Sequence, residues 1–146
     1  MNDYIARFQA SPVSFKKSFA FLTAAWICHP LFIYSLFYFG AMVDASGTEL
    51  KKMVVVSLSL CIFLFLIKKW ARALVVVGSL FIVVNDLFFF LVTPRNQIST
   101  LLFIAVLMCT IIGLYWLFVK ASRDYFTQVN PKPEPPDANA GPSRPR

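Results

Sequence analysis

Any chemistry in this chain has to come from a few polar side chains set inside long apolar runs. Asp86, preceded by Asn85, lies in the run 73–92, about six residues or roughly 9 Å of helix rise from its end. A carboxylate at hydrocarbon depth costs about 2.5–3.5 kcal/mol on insertion scales, so this residue must face protein or water. His29 lies midway along an earlier run and is followed by Pro30, which deprives the Trp26 carbonyl of its helical donor and predicts a kink. Ser79 stands seven residues before Asp86, on the same helical face. Depth counted from the ends of the runs places Ser79 and Thr110 beside His29. The same count makes Ser57 and the segment Tyr34–Tyr38 the expected hydrogen-bond partners of Asp86. Residues of these types in this order could form a polar track, with Asp86 outermost and Ser79, His29 and Thr110 further in. Such a track suits a proton or ion path, or an anchor for the polar head of a quinone or lipid. The plainer alternative is that each polar group bonds a neighbouring helix and fixes its register.

Other chemistries find no support. There is no glycine-rich phosphate loop, no H-E-x-x-H or G-x-S-x-G, and no pair of carboxylates at catalytic spacing. The single histidine excludes bis-histidine haem ligation within one chain. Cys28, Cys61 and Cys109 fall in three different apolar runs without metal-ligand spacing, and read as small packing residues. No metal, no cofactor and no catalysis are expected.

The elements that must position these residues follow from composition. The chain has 146 residues, 58% of them hydrophobic and only 14% charged, with a mean hydropathy of +0.68. Sixteen Phe cannot all be hidden in one small water-soluble core, which excludes a soluble globular domain and makes the lipid bilayer the solvent. Four runs approach the roughly 20 apolar residues that a spanning helix needs: 19–43, 50–67, 73–92 and 98–119. The second is the weakest, and Lys51, Lys52, Lys68 and Lys69 must snorkel to lengthen it. The 25 residues of the first exceed a signal peptide's apolar region, so it reads as an uncleaved span. Short connections make neighbouring spans antiparallel. The expected fold is an all-α integral membrane protein: an antiparallel four-helix transmembrane bundle over residues 19–119, between an N-terminal segment (1–18) and a C-terminal one (120–146).

The formal net charge of +7 would suggest nucleic acid in a soluble protein, but here the cations sit between apolar runs, so no nucleic-acid partner is expected. With the N-terminus inside, Arg7, Lys16, Lys17, Lys68, Lys69, Arg72, Lys120, Arg123, Lys132, Arg144 and Arg146 are cytoplasmic, and only Lys51, Lys52 and Arg95 are outside. This asymmetry predicts both termini in the cytoplasm of a cell membrane, the inner membrane if the source is bacterial. Asn2 to Ala10 carries Tyr4, Ile5 and Phe8 on one face and suits a short interfacial helix stopped at Ser11-Pro12. From about Asn130 six prolines and no large apolar residue predict a disordered tail.

Small residues recur every four positions on the first run (Ala20, Ala24, Cys28) and on the fourth (Ala105, Cys109, Gly113). That spacing lets helices approach closely, and predicts that spans one and four meet or that these stripes face another protein. The function expected is that of a multi-pass membrane protein acting through partners, as an accessory subunit, assembly factor or anchor. Its partners would be the bilayer and another membrane protein or further copies of itself. Two alternatives stand beside it: a small oligomeric transporter or channel with a proton- or ion-linked path at Asp86, and a membrane redox or lipid-modifying subunit using His29 and Asp86.

Overall fold

The computed structural model describes residues 2–38, 47–93 and 96–129, and among these the chain is all-helical with no strand. Six helices follow in order: α1 (Asn2–Ala10), α2 (Val13–Tyr38), α3 (Gly47–Phe65), α4 (Lys69–Val92), α5 (Gln97–Phe118) and α6 (Lys120–Val129). Three of them, Val13–Tyr38, Trp70–Val92 and Gln97–Phe118, are long and apolar enough to cross a membrane. Helix α3 is not among them. Glu49, Lys51 and Lys52 occupy its first two turns, and its uncharged part, 53–65, spans only about 20 Å at 1.5 Å per residue, against roughly 30 Å of hydrocarbon.

Local chemistry sets the helix ends. Ser11 donates its hydroxyl to the Phe8 carbonyl at 2.6 Å, closing α1, and Pro12 then stands just ahead of α2. Helix α2 begins six residues before the apolar run expected to contain it. Ser14, Phe15 and Ser18 are buried while Lys16 and Lys17 face out, so one stripe of this polar turn already packs on protein. Asn96 caps α5 through its side chain, which accepts the Ser99 N–H at 2.7 Å in a reciprocal capping box. Between α3 and α4 the chain turns at Ile67, whose φ of 52° is unusual for a β-branched residue. The side chain of Ile67 is fully buried, and that burial offsets a backbone cost of about 1–2 kcal/mol.

Helix α2 is the hub and packs on α3, α4, α5 and α6, most extensively on α5. Along the seam of α2 with α5 and α6, Ser14 meets Ser122 of α6, while Ser18 meets Gly113 and Phe32 meets Phe103 of α5, so residue numbers rise on one side as they fall on the other. The larger apolar core lies at the end carrying α1 and α6, around Phe15, Leu22, Trp26, Leu64 and Phe126. A smaller one, with Phe32, Ile33, Leu36 and Phe103, fills the other end. The cations gather at the first end. Lys17 lies over Trp116 at 4.6 Å, Arg72 over Phe118 at 4.5 Å, and Phe8 of α1 meets Phe65 at the close of α3 with ring centroids 5.7 Å apart. The proline-rich segment from Asn130 lies outside the described residues.

Candidate functional site

Two contacts between α2 and α4 bring the polar residues of both helices together. His29 Nδ1 lies 2.8 Å from Asp86 Oδ1, with both side chains buried. The Trp26 indole Nε1 donates to Ser79 Oγ at 3.3 Å, also buried. Ser79 and Asp86, seven apart on α4, thus share the face turned to α2, as their spacing requires. The second oxygen of Asp86, Oδ2, is buried without a hydrogen-bond partner among the described residues.

In surroundings of low dielectric an uncompensated polar group is costly, so each side chain of this buried pair supplies the other's polar contact across α2 and α4.

His29 also borders a cavity. A space of about 320 Å³ lies between α3 and α4 with His29 on its wall, where Lys52 and Asn85 supply the other polar groups. Met53, Val56, Phe81 and Ile82 form its apolar lining. A second space of about 430 Å³ flanks the Pro30 turn between α2 and α3 and is almost wholly apolar, apart from Ser57. The Ser57 hydroxyl is buried and has no hydrogen-bond partner among the described residues.

The structure distributes the remaining expected residues unevenly. Asp86 bonds His29 rather than Ser57 or Tyr34, and Tyr34 is half exposed. The depth count assumes that the ends of the apolar runs are level, whereas the packing of α2 on α4 brings His29 to Asp86 and Trp26 to Ser79. Thr110 is buried on α5, and no chain of hydrogen bonds joins it to Asp86 among the described residues.

Of the small residues, Gly113 lies directly under Leu22. Its carbonyl accepts the Ser18 hydroxyl at 2.8 Å. Ala24, Cys28, Ala105 and Cys109 are half-buried, and Ala20 is exposed. Trp26 and Ser18 were not foreseen as polar partners. A buried indole needs an acceptor for its N–H, which was the available signal for Trp26. No cluster of three or more potential metal ligands occurs among the described residues. No protein-family model matches the chain, and no curated protein or solved structure is significantly similar to it.

Proposed function

We propose that the chain is a small multi-pass membrane protein that acts through partners, as an accessory subunit, assembly factor or anchor, with no catalysis of its own. The observation that carries this reading is where the intramembrane polar groups go. His29 with Asp86, Trp26 with Ser79, and Ser18 with the Gly113 carbonyl each join α2 to another helix. The groups most capable of chemistry are engaged in helix association, which in lipid lacks a hydrophobic driving force and rests on packing and such bonds. Around this framework α4 turns Val77, Phe81, Val84, Phe88 and Leu91 outward, a broad apolar face for lipid and for a partner's spans.

In the same reading α2, α3, α4 and α5 form an antiparallel four-helix bundle, with α3 completed as a span by snorkelling lysines. Both termini lie in the cytoplasm, because the cation-rich ends of the helices collect beside α1 and α6. The membrane is the cell membrane, the inner one in a bacterium. Purification in a gentle detergent followed by mass spectrometry tests the central claim. A membrane partner should co-purify in fixed ratio with the wild type and equally with Asp86→Asn, whereas a chain that stays alone at every detergent strength contradicts it.

A second reading, a small transporter or channel with a proton- or ion-linked path at Asp86, draws on the unpartnered Oδ2 and on the cavity reaching His29. It requires pH-dependent flux in liposomes that Asp86→Asn and His29→Ala abolish. Flux unchanged by both substitutions removes it.

A further inference from the structure

We infer that the groove between α4 and α5 at the cation-rich end binds an acidic phospholipid, its phosphate on Arg72 and an acyl chain along the apolar walls. The inference rests on α4 and α5 as membrane spans and not on the partner reading. Four observations converge. First, a cavity of about 330 Å³ lies there, lined by Arg72, Ala73, Val76 and Val77 of α4 and by Phe118 of α5, so that Arg72 is its polar group. Second, ring contacts hold the half-buried guanidinium in place: it lies 4.5 Å from the Phe118 ring centroid and 5.6 Å from that of Phe126. Attraction to a ring cancels no charge, and the planar fork of guanidinium donors matches a phosphate bidentately. Third, Arg123 of α6, one turn before Phe126, adds a second positive charge that is felt at Arg72. Neither cation forms an ion pair with a carboxylate among the described residues. Asp124 is exposed and stands at the next helix position, which does not share the face of Arg123. Fourth, the depth is that of a headgroup. Arg72 lies in the first turn of α4 beside the half-exposed Trp70, and Tyr115 and Trp116 lie within a turn of Phe118, an aromatic belt of the kind that marks the membrane–water boundary.

Size and charge together select the occupant. The volume is at the small end for ligand sites and fits a phosphate with the upper part of one chain, not a whole lipid. The rest of that chain has a path. Val77 on the groove wall and Val84, seven residues on along the same face, are each 65% exposed, so the apolar wall continues into the hydrocarbon. Basic pockets between spans suit acidic lipids, because two adjoining cations are compensated by a phosphate that brings no cation of its own. The ammonium of a phosphatidylcholine would be carried up to Arg123 with no carboxylate on that face to receive it, so the zwitterionic lipid is disfavoured.

The test is native mass spectrometry of the full chain released from nanodiscs that hold phosphatidylglycerol and phosphatidylcholine in equal amounts, reading which lipid stays bound. Wild type should retain phosphatidylglycerol about tenfold over phosphatidylcholine, the equivalent of one charge-assisted contact. Arg72→Gln should bring the two lipids level. Ala73→Phe, which fills the groove and leaves the charge alone, should do the same. The two variants act by different means, so one that fails to fold leaves the other to decide. Lys17→Gln makes the same change of charge at the same end and should keep the tenfold preference. Equal retention of both lipids by the wild type overturns the inference, and so does a preference that survives both Arg72→Gln and Ala73→Phe. A preference that Lys17→Gln lowers as much as Arg72→Gln also overturns it, because the charge of the whole end then attracts the lipid. A chain that does not enter the discs overturns the membrane reading as well, whereas equal retention by a chain inside them overturns this inference alone.

Discussion

Separating His29 from Asp86 by substitution should cost far more than removing both. His29→Leu leaves Asp86, which is fully buried, with no partner at either carboxyl oxygen. Breaking a buried pair in this way costs about 3–5 kcal/mol. Asp86→Val leaves only a neutral imidazole nitrogen unpaired, about 1–3 kcal/mol. The double variant replaces both groups by apolar ones of similar volume and leaves no atom of the pair unpaired, so it should lie within about 1 kcal/mol of the wild type. The coupling, as the shortfall of the double variant from the sum of the singles, is then about 3 kcal/mol or more. Ordinary hydrogen bonds between membrane helices couple by about 0.6 kcal/mol, with a ceiling near 1.7, because the unfolded helix in a membrane also finds partners. Reversible unfolding of the four proteins in mixed detergent and lipid micelles, followed by circular dichroism, gives all the required free energies. A coupling at or below about 1.7 kcal/mol refutes the reasoning, because the pair would then be one interhelical hydrogen bond among others.

Four further outcomes are expected. Gly113→Ala places a Cβ 2.7 Å from Leu22 Cγ and 3.1 Å from the Leu22 backbone nitrogen, so α2 and α5 must separate. The cost, about 1–3 kcal/mol of overpacking, exceeds the gain in helix propensity and should appear as a lowered melting temperature. Gly78→Ala meets only the flexible end of Leu60, at 2.6 Å, and should be close to neutral in the same melt. Tyr125 donates its hydroxyl to the Arg7 carbonyl, and burial raises its phenol above the ordinary value of 10.0 while Arg7 partly opposes this. A phenol raised on folding stabilises the protonated folded form, so the α1–α6 contact persists below pH 10 and weakens as pH rises through the folded value. Hydrogen exchange in α1 should accelerate there in wild type, and the step should vanish in Tyr125→Phe. On a background with Cys28, Cys61 and Cys109 replaced, impermeant thiol reagents added outside cells should label Gly47→Cys but neither Trp70→Cys nor Asn130→Cys. Outside labelling at 130 would reverse the proposed orientation.

Much of the site was legible before any tertiary contact was known, because lipid makes polar residues conspicuous. Asp86 and His29 stand out in their runs for the cost of placing them there, and Ser79 and Asp86 share a face through a spacing of seven. The pairing itself was within reach of one further step, since the sole histidine and the sole intramembrane acid each need a partner and offset one another. What misled was the ruler. Depth counted along apolar runs assumes that their ends are level, and the axial shift of one helix against another, at about 1.5 Å per residue, breaks that assumption. Ser18 and Lys16 illustrate another limit. They belong to one polar turn ahead of the first apolar run, yet Ser18 is buried against α5 while Lys16 faces out.

By itself the chain's composition points to lipid as its solvent, and the positions of its charges carry the proposed orientation of the helix ends. Both are sums over many residues and survive small errors in any one boundary. Only the tertiary structure decided that His29 meets Asp86, that Trp26 meets Ser79, and that Lys52 and Asn85 share a cavity with the histidine ring. Those contacts depend on the rotation and axial shift of one helix against another. In lipid no hydrophobic gradient sets these, so close packing such as Leu22 on Gly113 fixes them, and a single helix carries no record of its neighbour's shape.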